Sequence, residues 1–255
     1  MHASHIYKKL LGWAAFGVVT TVVTTFAAQA QVIVLQSTVS KFKAGSTLAR
    51  STQVSIPEGG SMTVVLASGA TRKINGPFSG KVSSLSSGGA SNAALFNAVK
   101  DYIKTGGSSR KKVGALRSVA PRGNSPSASS GKIKFSWTSV PVSASGDYCV
   151  EKGAPIKLQR VRAGRPAQVT LVDLQSTRRV QLNFGSADSE IDWPSELPVR
   201  NASYAILAKG RAMKQIRLRL IAPIPPADLT LQVLHGQRCS LQFAAYLRGF
   251  AVTQQ

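Results

Sequence analysis

Gln53-Val54-Ser55-Ile56-Pro57-Glu58-Gly59-Gly60-Ser61-Met62-Thr63-Val64-Val65-Leu66 holds two short runs in which apolar and polar residues alternate, parted by a Pro-Glu-Gly-Gly turn. A period of two sends successive side chains to opposite faces of a strand, and the turn residues end each run before a helix can gather its 3.6-residue stripe. The same texture continues on both sides. Upstream stand Val32-Ile33-Val34-Leu35 and the turn glycine Gly45; downstream stand Ser68-Gly69 and Asn75-Gly76-Pro77. Strands this short, so closely punctuated, predict a small β module over residues 31–82.

Over residues 83–105 the period changes. Leu95, Phe96, Val99, Tyr102 and Ile103 fall on one helical face while Lys100, Asp101 and Lys104 fall elsewhere, with Ser91 or Asn92 to cap the start and Gly106 to end the helix. The expected helix packs on the neighbouring sheet; its lysines also allow a peripheral membrane contact. Residues 106–131 are rich in Gly, Ser, Arg and Lys and read as a flexible basic linker. Within it Arg110, Lys111 and Lys112 serve either as polyanion contacts or as solvated linker charge.

From Lys132 to residue 222 strand texture returns. Ile133 to Trp137, Asp147 to Glu151, Ile156 to Val161, Gln168 to Val172, Arg179 to Phe184, Ser203 to Ala208 and Gln215 to Ile221 predict seven short strands. Residues 223–255 turn helical: Pro225 and Pro226 precede a helix over Ala227 to Leu234, Gly236 breaks it, and Cys239 to Arg248 forms a last one. The fold class expected is mainly β with a few helices.

Two resemblances sharpen that class. The order Gly45-Ser46-Thr47-Leu48, Gln53 to Ile56, Met62 to Leu66, Gly69-Ala70-Thr71 and Ile74-Asn75-Gly76-Pro77 resembles the FecR-like periplasmic domain, a β module of about 50 residues. It implies a periplasmic module that senses or binds. With nine residues, Met1 to Lys9, ahead of the first apolar run, that family's anti-sigma segment is not expected. The seven later strands, with Phe135 and Trp137 at the front and Tyr148-Cys149 behind, resemble an immunoglobulin-like β-sandwich, although the Cys…Trp…Cys order of antibody domains is absent.

Lys8 and Lys9, an uncharged stretch from Leu10 to Ala28 and the small-x-small site Ala28-Gln29-Ala30 predict a secretory signal peptide over residues 1–30, with the mature chain starting at Gln31. An uncleaved inner-membrane anchor is the alternative. Location is thus expected to be periplasmic or secreted. The whole chain carries +22, with 32 basic residues against 10 acidic, and the excess is spread along its length. Outside the cytoplasm that charge favours an anionic envelope polymer or an acidic envelope protein, and no specific nucleic acid.

Chemistry is sparse. Only His235 lies beyond the leader, so neither a histidine metal cluster nor a cofactor motif can be assembled, and no catalytic residue is assigned. His235 and Cys239 stand four apart with Gly236 between them. Ser40 and Lys43 match Ser-x-x-Lys, and Lys104-Thr105-Gly106 matches a second mark of penicillin-recognising enzymes, in the wrong structural context. Asp188, Glu190, Asp192 and Glu196 form an acidic cluster, read as a solvated turn; it is also the one route to the alternative function, an exported hydrolase or cell-wall enzyme. Cys149 and Cys239, the only cysteines, predict one disulfide that staples the C-terminal helices to the sandwich. The function expected is that of an exported, non-enzymatic binding or envelope-signalling accessory protein.

Overall fold

A computed structural model describes residues 31–85, 90–105, 134–208 and 211–251. The leader with Ala28 and Ala30, and the basic segment with Arg110, Lys111 and Lys112, lie outside the described residues; Gln31 stands just ahead of the first strand. Among the described residues the fold is mainly β, with four sheets and three α-helices, two of them a C-terminal pair.

The first strands are β1 (Val32–Ser37), β2 (Thr47–Leu48), β3 (Gln53–Ile56), β4 (Ser61–Val65), β5 (Thr71–Asn75) and β6 (Phe78–Lys81). An antiparallel sheet runs β2-β1-β4-β5, and β3 pairs with β6 in a separate ribbon. Both faces of β1 are covered. Val32 and Val34 join Val54, Ile56 and Met62 in one core, whereas Ile33 and Leu35 join the helices in another. An uninterrupted Val-Ile-Val-Leu run is the mark of such a two-sided strand.

Helix α1 (Ala93–Lys104) forms where its periodicity predicts, and Asn92 supplies the cap by accepting the Leu95 N–H at 3.1 Å. It sits against the turn between β4 and β5. Gly69 there has φ +89°, and a Cβ on it would lie 2.0 Å from Leu95 Cδ2, so the turn requires glycine for both conformation and space.

The second half contains β7 (Ser139–Pro141), β8 (Gly146–Glu151), β9 (Lys157–Gln159), β10 (Ala167–Asp173), β11 (Arg179–Phe184), β12 (Glu190–Asp192), β13 (Ser203–Ala208) and β14 (Arg211–Ile221). A five-stranded sheet runs β11-β10-β13-β14-β8 and a three-stranded sheet β12-β9-β7; β14 with β8 and β7 with β9 are parallel, the rest antiparallel. Tyr148, Leu171, Tyr204, Ile216 and Leu218 from the first meet Val140, Leu158, Trp193 and Leu197 from the second and its flanks.

Two expectations change. No strand forms over Lys134 to Trp137, because the backbone there has other partners: Ser136 C=O accepts Gln242 Nε2 at 2.7 Å and Trp137 C=O accepts Glu151 N–H at 2.9 Å. Phe135 and Trp137 pack against the helical core instead of the space between the sheets. The acidic stretch is also more than a turn, since Glu190–Asp192 pairs with β9 as β12.

Helices α2 (Thr230–Gly236) and α3 (Ser240–Ala251) complete the chain, and the break falls at Arg238 instead of Gly236. Arg238 has φ +61°, its N–H bonds to His235 C=O, and Cys239 N–H bonds to Leu234 C=O at 2.8 Å. Those two bonds form a Schellman stop that turns Cys239 back toward Leu234. The resulting core gathers Ile33, Leu35 and Val65 of the first sheet, Leu95 and Val99 of α1, Cys149 and Ile221 of the large sheet, and Leu231, Leu234, Phe243 and Leu247 of the last helices. The helical layer therefore packs on both β halves at once. Polar contacts reinforce it: Thr71 N–H to Asp228 C=O at 2.8 Å, and Gln232 Nε2 to Ser68 C=O at 3.0 Å.

Candidate binding surface

Alternation along the five-stranded sheet sends most of its large apolar side chains inward; the other face carries polar and short side chains with Val172 and Leu207 among them, and its β8 end, at Cys149 and Ile221, is covered by the helices. Across that face the register sets Arg179 beside Val172, Val172 beside Ala205 and Ala205 beside Gln215. A second row sets Gln181 beside Thr170 and Thr170 beside Leu207; a third sets Ser203 beside Arg217 and Arg217 beside Asp147. Arg217 Nε donates to Ser203 Oγ at 3.3 Å. Asp147 serves two guanidinium groups, Arg217 at 3.8 Å and Arg219 at 3.5 Å, so the local balance stays positive. Ion pairs this long and partly exposed are loose and screened by salt, and contribute under about 1 kcal/mol each.

Beneath one end, Asp173 is fully buried and holds the β10–β11 turn. Its Oδ1 accepts Gln175 N–H at 2.9 Å, and its Oδ2 accepts Ser176 Oγ at 3.0 Å and Arg200 Nη2 at 2.6 Å. Burial alone would raise its pKa; the hydrogen bonds from Gln175, Arg200 and Ser176 outweigh it and hold the carboxyl down at about 2. Arg160, 8% exposed, has no such partner. It donates to the carbonyls of Asp188, Arg165, Gly185 and Ser186 and lies 5.2 Å from the centre of the Phe184 ring, so it ties two loops together and is spent structurally.

The four carboxylates singled out from sequence do not converge. Asp188 accepts Gly185 N–H at 2.7 Å, Glu190 accepts Gln159 Nε2 at 3.2 Å, and Glu196 accepts the Ser195 hydroxyl beside it at 3.4 Å. Asp192 lines a shallow cleft of about 310 Å³ with Trp193, Pro155, Pro194, Pro198 and Ser195. Among the described residues no three His, Cys, Asp or Glu side chains gather where a metal ion could sit.

Cys149 and Cys239 form the disulfide, with Cα atoms 5.8 Å apart. The sulfur of Cys239 is thereby removed from any dyad with His235, whose ring lies 6.0 Å from that of Phe243. Ser40 sits in a turn after β1, and Lys104 closes α1. Sequence reasoning missed Gln242, which is 2% exposed: its amide accepts Cys149 N–H and donates to Cys149 C=O, each at 2.7 Å, standing in for a neighbouring strand on the free side of β8. A polar residue between Leu241 and Phe243 in a mostly apolar helix was the available signal.

Among the described residues no helix is long and apolar enough to cross a membrane. No protein family, curated protein or solved structure matches the chain.

Proposed function

We propose that this chain is an exported binding protein of a bacterial envelope, an accessory that engages an acidic partner through the face of its five-stranded sheet. The observation that carries this is the arginine-bearing face itself, where Arg179, Arg217 and Arg219 stand around small and polar side chains with Asp147 as the near carboxylate. Such a surface attracts anions and gains specificity from the rigid sheet beneath it. The disulfide supports an oxidising compartment.

An immunoglobulin-like reading of the second half is supported by its strand routing. The chain passes from β9 in the small sheet to β10 and β11 in the large one, back to β12, then to β13 and β14. Tyr204, at the start of β13, donates its hydroxyl to Pro198 C=O six residues upstream, as a tyrosine corner does. The FecR-like reading of residues 31–82 rests on the order of β2 to β5 around Gly69. The hydrolase alternative has no comparable support, since Asp188, Glu190 and Glu196 are each engaged by a different group and of the four only Asp192 lines the cleft.

A photo-crosslinker in place of Gln215 tests the reading. It should capture an envelope component in a salt-sensitive manner, while one in place of exposed Glu58 on the other half should not. Equal capture at both positions, or none at either, would overturn it. Capture of a polysaccharide would transfer the reading to an anionic polymer. Intact mass of the exported form should correspond to a chain starting at Gln31.

A further inference from the structure

Among the described residues strand β11 ends the five-stranded sheet and has a partner, β10, on one side only. The bond from Asp173 N–H to Arg178 C=O fixes the phase of that ladder. In an antiparallel pair, bonded and non-bonded residue pairs alternate, so Val180, Leu182 and Phe184 exchange bonds with β10 while Arg179, Gln181 and Asn183 turn N–H and C=O away from it. Those three residues are exposed.

Open edges are normally blunted by lysine, proline or a bulge. Over Arg179–Phe184 six residues pair in register with no shift, and the strand contains neither proline nor lysine. On the inner side Phe184 is buried, whereas Val180 and Leu182 are half-buried and only partly covered by the core. The edge thus offers three outward donor–acceptor pairs and an apolar row that ends without full cover.

We propose that this edge takes up an extended acidic segment of a partner protein by strand addition, a proposal that rests on reading the chain as a binding protein and names the partner's chemistry. Charge selects the occupant. Arg179 stands exposed at the start of the edge with Arg178 before it, whereas the carboxylates beside its two ends are engaged, Asp173 by Arg200 and Asp188 by Gly185 N–H. A second copy would bring the same arginines and the same strongly basic charge against its own kind. The fitting segment has acidic residues toward the arginine face and apolar ones alternating with them, to continue the row of Val180 and Leu182.

Three synthetic ten-residue peptides test this on the purified, oxidised full chain: alternating Glu and Val, alternating Lys and Val, and Glu and Val in two blocks. The Glu–Val alternation should slow amide exchange at Arg179, Gln181 and Asn183 by about ten-fold or more, and the other two should not. Gln181→Pro removes an outward N–H without touching the β10 ladder, and should weaken binding about ten-fold at an unchanged melting temperature. Arg179→Glu should reverse the preference toward the Lys–Val peptide, and this variant decides the matter if Gln181→Pro does not fold. Equal binding of all three peptides, or protection elsewhere in the molecule, would overturn the proposal. So would a wild-type dimer in sedimentation that Gln181→Pro dissociates, because the edge would then belong to a second copy. Protected edge amides without envelope crosslinks from position 215 would overturn the envelope role and support the edge; crosslinks without protection would overturn the edge alone.

Discussion

Gln242 and Asp173 are two buried polar side chains on which backbone groups depend. Removing the amide in Gln242→Ala leaves Cys149 N–H, Cys149 C=O and Ser136 C=O without the partner each has now. Buried groups left unpaired cost about 1–3 kcal/mol each before relaxation, so a loss of roughly 2–4 kcal/mol is expected in denaturant titration. Gln242→Glu keeps the acceptor but sets a carboxylate against two carbonyls; it should be at least as damaging at neutral pH and recover part of the loss as the pH falls and the side chain becomes a donor again. For Asp173 the sign is the reverse. Its folded pKa of about 2 lies below the usual 3.8, so its contribution is complete above about pH 4 and disappears as the pH falls toward 2. Denaturant titrations across that window should show stability declining in the wild type and declining less steeply in Asp173→Asn. Identical slopes would mean that the Asp173 network does not stabilise the β10–β11 turn.

At the scale of elements, α3 is held at its first turn by a covalent bond to β8 and by the stop at Arg238 that aims it. The disulfide spans 90 residues, and chain entropy assigns such a closure roughly 4–5 kcal/mol, less any native strain. Cys149→Ser and Cys239→Ser should therefore lower the melting temperature by similar amounts, with the double variant close to either single one, because all three lose the same bond. Additive effects would show two independent core contributions instead. Arg238 occupies a left-handed position that glycine adopts without penalty. Arg238→Gly should leave the fold unchanged and raise stability by about 0.5–1 kcal/mol, measurable as a small upward shift in melting temperature. A drop would show that the arginine side chain contributes more than its backbone costs.

At the scale of the whole molecule, the helical core joins halves that the sequence separates by a Gly- and Ser-rich basic segment. Trypsin acting between Arg110 and Arg122 should yield two fragments that migrate apart in denaturing gels and co-elute in native size exclusion, since Ile33, Leu35 and Val65, with Leu95 and Val99 of α1, remain buried against α2 and α3. Both cysteines lie in the later fragment, so the disulfide cannot hold the fragments together. Separation under native conditions would show that the shared core is too weak to hold them.

The sequence by itself determined the local elements, because alternation at Gln53 to Ile56, the helical stripe from Leu95 to Ile103 and the turn chemistry around Gly69 each act within a few residues. It also determined the cysteine partners, since two cysteines allow one bridge. Tertiary structure alone decided that Ser136 would bond a glutamine amide in place of a strand, that the carboxylates of residues 188–196 would disperse, and that Arg179, Arg217 and Arg219 would share a face. Those outcomes depend on contacts between residues tens of positions apart, whose register is set by packing between layers and leaves no periodic trace in the chain.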